Sequence, residues 1–204
     1  MSEELELKAV VQDAAALGSR LAKAGARCTF RGVMRDRRYD LPDGALLARD
    51  EVLRVRTFEP HGAGVAHAEL TWKGPTRRSG GYKEREELQF GVADAATAGE
   101  VLGRLGFALS DAIDRCVEYH EVAGAVVRIE WYPRMDVLAE VEGEPGMIER
   151  AVAVTGIPRA EFNADRLLDF AGRFAQRTGK EPVLRLDQLG PREAPGFPAW
   201  AEHK

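Results

Sequence analysis

With 204 residues, 45% of them hydrophobic and 30% charged, the chain suits one globular domain, or one domain with an appendage. A formal net charge of −4 offers no global basic excess for nucleic acid or for an anionic membrane surface. No apolar run is long enough for a transmembrane helix, and the acidic start MSEELELK lacks the features of a signal peptide.

Cys28 and Cys116 have no C-x-x-C spacing, which predicts two reduced thiols packed among apolar neighbours in a cytoplasmic protein. His61, His67, His120 and His203 fit no metal-ligand spacing, which disfavours zinc.

In chain order, a strand over 3–11 leads into a helix over 13–25, with Asp13 as N-cap and Gly25 as stop. Residues 26–40 read as an extended segment closed by the turn LPDG. Strands follow over 51–59 and 65–74, around HGAG. PTRRSGG (75–81) has the composition of a mobile basic loop, with Arg77 and Arg78 solvated. A strand over 82–91 and an amphipathic helix over 94–107 come next. Three further strands are expected over 112–122, 125–132 and 135–143.

Helices over 147–156 and 163–179 close the ordered part, the second with Asn163 as N-cap and Gly179 as stop. The division is therefore a domain over 1–178 and a Pro/Gly-rich tail over 179–204, held to the body through Leu184, Leu186 or Trp200 and a candidate contact for a homodimer. Eight strands joined mostly by short turns predict a mainly β (α+β) fold: an antiparallel sheet or closed barrel with flanking helices.

Strand parity then sorts the charges. Glu4, Glu6 and Lys8 share a face opposite Leu5 and Leu7. Arg54 and Arg56 oppose Leu53 and Val55; Glu69, Thr71 and Lys73 oppose Leu70 and Trp72. Lys83, Arg85, Glu87 and Gln89 form another such set, Arg115 lies beside Val117 and Tyr119, and Arg128 beside Glu130. Glu140 and Glu142 oppose Ala139 and Val141. By the same parity Trp72 and Trp131 face the core.

A solvated sheet face accounts for such alternation as well as a charged lumen does. In a wet lumen the two acidic pairs could share hard divalent cations, and the basic set could clamp a polyanion. That combination serves phosphoryl or nucleotidyl chemistry.

Ordered blocks carry a resemblance. ELELK resembles the E-x-E-x-K signature of the CYTH superfamily, the triphosphate tunnel metalloenzymes. DRRYDLPDGALLARDEVLRVR, LTWKGP, REEL, LGF, RIE, LAEVEG and FNADRLLDF resemble later blocks of the same family, over residues 4 to about 175. The resemblance implies an eight-stranded antiparallel barrel whose tunnel binds a triphosphate and Mg²⁺ or Mn²⁺.

It implies metal ligands at Glu4, Glu6, Glu140 and Glu142, with Glu130 where the family usually has Asp. It implies phosphate ligands at Lys8, Arg54, Arg56, Lys73, Arg85 and Arg115, the first five forming the candidate catalytic set, and Glu87 as an acidic residue that orients them. Val117 replaces the second basic residue of the family's K-x-R pair, and Arg128 is the candidate substitute. The implied substrate is inorganic triphosphate, ATP or thiamine triphosphate. The implied activity is a phosphohydrolase or, since LTWKGP leans towards CyaB-like members, a class IV adenylate cyclase. The change at Val117 motivates a third reading, a non-catalytic polyphosphate sensor.

Overall fold

The computed structural model describes residues 2–201, with side chains from Leu5 onward except Ser79. Among the described residues nine strands form one antiparallel sheet: β1 (Ser2–Val11), β2 (Arg27–Asp40), β3 (Val52–Pro60), β4 (His67–Lys73), β5 (Arg77–Ser79), β6 (Tyr82–Val92), β7 (Ala108–Val122), β8 (Ala125–Trp131) and β9 (Val137–Glu142). The order β1-β9-β8-β7-β2-β3-β4-β6 closes through pairing of β1 with β6, giving an eight-stranded barrel with β5 as a short flap on β6. The expected eight-stranded antiparallel barrel is the observed one.

Alternation decides what faces where. Leu7 and Ala9 of β1, Val127 and Ile129 of β8, and Ala139 and Val141 of β9 point out of the barrel. They pack against α1 (Ala14–Lys23) and α4 (Pro145–Thr155) through Leu17, Leu21, Ile148 and Val152. The apolar core thus lies outside the barrel wall, and the charged residues occupy the lumen. An eight-stranded barrel leaves room inside for side chains or one small ligand.

The Asp13 side chain caps α1 by accepting from the Ala16 N–H at 2.9 Å, and Gly25 follows at φ +77°. Asp94 caps α3 (Ala95–Arg104) in the same way. Gly156 and Gly179 end α4 and α5 (Leu167–Thr178) with φ of +69° and +68°.

Several expectations are corrected. Residues 77–79 form β5, where Arg77 pairs with Glu84 at 2.9 Å, because the loop folds back beside β6. Asn163 does not cap α5. Its backbone exchanges two hydrogen bonds with Lys8 (2.8 and 2.9 Å) and extends the wall where β6 leaves β1. The Asp169 carboxylate instead accepts from the Arg166 backbone N–H at 2.9 Å, while the Arg166 carbonyl accepts from the Asp169 N–H at 2.9 Å. Cys28 is exposed rather than packed, because it sits at the start of β2, ahead of the point where β3 joins at Gly32, beside a register shift; Cys116 is buried.

The tail, over residues 179–201, packs against the body. Val183 bridges Arg134, the Leu184 carbonyl accepts from the Asp114 N–H at 2.8 Å, and Trp200 meets Trp131 edge-on at 6.1 Å. Trp131 is buried in the outer core, and Trp72 is half-buried with its indole N–H towards Glu51. No described helix is long and apolar enough to cross a membrane.

Candidate active site

The lumen consists of two connected chambers. The inner one, of about 180 Å³, is lined by ten Lys and Arg side chains and seven carboxylates, an excess of three positive charges in a chain of net charge −4. An acidic protein has therefore gathered its surplus of cations at one enclosed place, which fits an anionic ligand. The short helix α2 (Ala45–Ala48) with the residues that follow it, α5 and the tail cover this end through Leu47, Asp50, Leu168 and Leu184. The outer chamber, of about 700 Å³, is open at the other end of the barrel and shares Arg54, Arg56 and Arg128 with the inner one.

The cations stand on the strands as parity requires. Lys8, Arg54, Arg56, Lys73, Arg85, Arg115 and Arg128 are all buried. Charges so placed are tolerated only when paired. The Asp36 carboxylate on β2, 1% exposed, is the hub of the pairing. It accepts from Arg56 Nε at 2.5 Å and Nη2 at 2.8 Å and from Arg115 Nη2 at 3.1 Å, with Arg54 Nη1 at 3.8 Å. Burial opposes its ionisation, yet Arg56, Arg115 and Arg54 hold it well below the usual carboxylate range.

Glu87 sits 2.9 Å from Lys73 Nζ and 3.7 Å from Arg54, so it orients both. Arg85 lines the inner chamber, but its guanidinium donates to the carbonyls of Gly74 (2.6 Å) and Asp50. It thereby ties two covering loops to the wall. Arg128 is paired with Glu140 and, at 2.8 Å, with Glu142.

The carboxylates expected to bind metal lie on adjoining strands. Glu6 and Glu140 share the Lys8 ammonium at 2.7 and 2.6 Å, and Lys83 also pairs with Glu6. Burial raises Glu6, but Lys8, Lys83 and Lys73 hold it well below its ordinary value. Glu130 lies deeper, with Tyr132 donating to it at 2.6 Å and Arg115 Nε 3.4 Å away. Glu142 reaches the outer chamber and is about one-third exposed. Glu4 pairs with Arg85 through β1 and β6, and its side chain lies outside the described residues.

Among the described residues no three His, Cys, Asp or Glu side chains converge as a metal cluster. Glu6 and Glu140 nonetheless already hold one cation between them and offer only oxygen, the donor type of Mg²⁺ and Mn²⁺. They fit such an ion.

The inner chamber also takes in Asp36, Arg38 and Tyr132, which strand parity does not single out. Asp36 and Arg38 belong to β2, where MRDRRYD carries charge on both faces and so hides its alternation. Lys83 lies on the charged face that parity assigns to its strand, and it too lines the inner chamber. Val117 is fully buried with Met34 and Phe58, an apolar patch within the lumen wall.

A family model for the CYTH domain matches residues 2–144. Among solved structures, a candidate adenylate cyclase of Vibrio parahaemolyticus superposes with a TM-score of 0.70 at 15% identity, over 83% of this chain and 97% of that one. The PH1819 protein of Pyrococcus horikoshii gives 0.65 at 23% identity, over 81% and 96%. A candidate adenylyl cyclase of Hippeastrum with a dominant triphosphatase activity gives 0.57 at 17% identity, over 95% and 100%. A comparison with curated protein sequences returns no match. With identities this low the superpositions speak for the fold, whereas the domain match, its E-x-E-x-K strand and the closed charged barrel together make the assignment: this chain belongs to the CYTH family.

Proposed function

We propose that this chain is a metal-dependent phosphohydrolase that acts on a triphosphate, inorganic or nucleoside, bound in the barrel lumen. The observation that carries the reading is the enclosed excess of three positive charges beside the carboxylate pair Glu6 and Glu140. The CYTH family is generally metal-dependent, and the Hippeastrum protein's dominant triphosphatase activity supports hydrolysis. The substrate is a small molecule, and the two free thiols suit the cytoplasm.

Phosphoryl transfer asks for positioning and charge neutralisation more than for a protein nucleophile. Arg54, Arg56, Arg115 and Arg128 hold the phosphate chain, and Asp36 and Glu87 fix the directions in which the guanidinium groups and Lys73 point. Lys8 and Lys73 face the same chamber as Glu6 and meet the phosphate charge there. Glu6 and Glu140 would hold Mg²⁺ or Mn²⁺, with Glu130 and Glu142 close by, and such an ion supplies Lewis-acid neutralisation of phosphoryl oxygens. The covering loops and α5 limit bulk water at the inner end, which strengthens each of these interactions.

The second reading is a class IV adenylate cyclase, favoured by LTWKGP and by the likeness to the candidate cyclase of Vibrio. Incubation with ATP or inorganic triphosphate plus Mg²⁺ or Mn²⁺ separates them. Orthophosphate is the expected product. Cyclic AMP with pyrophosphate would replace hydrolysis by cyclisation, and tight binding without turnover would leave a sensor.

A further inference from the structure

The outer chamber has a chemistry unlike the inner one. Phe30, Phe58 and Tyr119 meet edge to face, with centroids 5.4 Å (Phe30–Phe58), 5.7 Å (Phe30–Tyr119) and 6.4 Å (Phe58–Tyr119) apart. His67 lies flat on Phe58 at 4.5 Å and 9°, and is itself exposed. Met34 and Val117, both fully buried, back this aromatic frame. The half-buried Tyr119 hydroxyl donates to the Met34 sulfur, 3.3 Å away and a weak acceptor, and the Arg128 guanidinium lies over the Tyr119 ring at 5.5 Å from its centroid.

An inorganic polyphosphate has no use for such surfaces. Along β3, Arg54, Arg56 and Phe58 all line the outer chamber, and successive inward residues step by about 7 Å. On β7 the series Arg115, Val117, Tyr119 runs the same way, from the inner chamber to the outer.

We propose that the Phe30–Tyr119–His67 frame seats the aromatic ring of a triphosphate ester, with the phosphate chain passing Arg54, Arg56 and Arg128 and its terminal phosphate innermost. The inference rests on the triphosphate reading above and deepens it. Phe58 sets the frame's angles from behind, with one face covered by His67 and the Arg56 guanidinium 5.9 Å from its centroid. In this orientation the terminal phosphorus, not the one bearing the ester, meets the chamber of Glu6, Lys8 and Glu140. The bond then broken joins the terminal phosphorus to its bridging oxygen; water adds to that phosphorus, and the products are orthophosphate and the diphosphate ester. Cyclisation would need the ester-bearing phosphorus at that place.

The test is equilibrium binding by calorimetry in EDTA, with ATP, thiamine triphosphate and inorganic triphosphate as probes, on wild type, His67→Ala and Tyr119→Leu. Each substitution is expected to lower the affinity for at least one ring-bearing probe, relative to inorganic triphosphate, by about tenfold, the scale of losing one stacking face. The probe whose ratio falls identifies the ring. Quenching of 2-aminopurine riboside triphosphate on binding, relieved in both variants, reports the stacking directly and does not depend on stability. Ratios within twofold of wild type in both variants, with the quench absent or unaltered, would overturn the ring seat while leaving the triphosphate reading intact. Wild type that binds none of the probes would overturn both.

Discussion

Asp36→Asn is the sharpest perturbation of the lumen. The carboxylate is 1% exposed and serves Arg56 at 2.5 and 2.8 Å, Arg115 at 3.1 Å and Arg54 at 3.8 Å. The amide keeps the shape but removes the one negative charge common to three buried guanidinium groups. Breaking a buried ion pair by removing one partner costs about 3–5 kcal/mol, because the remaining charge stays buried and uncompensated. For a chain of this size 1 kcal/mol corresponds to about 2–4 °C, so Tm should fall by roughly 6–20 °C.

A bound polyanion supplies the missing charge. Inorganic triphosphate should therefore raise the Tm of the variant by more than it raises that of wild type. Thermal unfolding with and without inorganic triphosphate, in EDTA, measures both. A loss below about 1 kcal/mol, with equal gains from triphosphate, would refute the view of Asp36 as the electrostatic hub.

Two further predictions concern the carboxylate end. Burial and Lys8 lower Lys83 to about 8 against the pull of Glu6, so the folded protein releases this proton near pH 8, whereas the unfolded chain keeps it to about 10.5. The unfolded state binds more protons in that window, so this group makes stability rise with pH between about 8 and 10.5. The change is on the order of a few kcal/mol and should vanish in Lys83→Met. Metal-free triphosphate affinity should run the opposite way, weakening as pH passes 8, and a pH series on the two proteins checks both signs. Glu6→Ala frees Lys8 and Lys83 from a shared counter-charge. It should abolish metal-dependent turnover while metal-free triphosphate binding is retained; unchanged turnover would remove Glu6 from the proposed metal site.

Much of this site was readable because a closed barrel turns a two-residue period into inside and outside. Glu6 and Lys8 on β1, Arg54 and Arg56 on β3, and Glu140 on β9 alternate cleanly with apolar neighbours, and all line the lumen. Asp36 was hidden because Arg35 and Arg37 carry charge on the opposite face of β2, where they reach Glu59 and Asp114. Arg85 was visible as an inward cation, but not its bonds to the carbonyls of Gly74 and Asp50, which depend on how two loops fold back. Asn163 has the chemistry of an N-cap and reads as one, but its backbone is held by the edge of β1 at Lys8, so α5 starts later. The aromatic frame joins residues from β2, β3, β4 and β7, and nothing in local periodicity links them.

The central claim concerns which phosphorus reacts, and water labelled with ¹⁸O reports it directly. ATP and Mg²⁺ are incubated with the protein in labelled water and the products are resolved by mass spectrometry. Attack at the innermost, terminal phosphorus places the label in orthophosphate and leaves ADP unlabelled. Label in AMP, or unlabelled cyclic AMP with pyrophosphate, would put the ester-bearing phosphorus beside Glu6 and Glu140 and contradict the account.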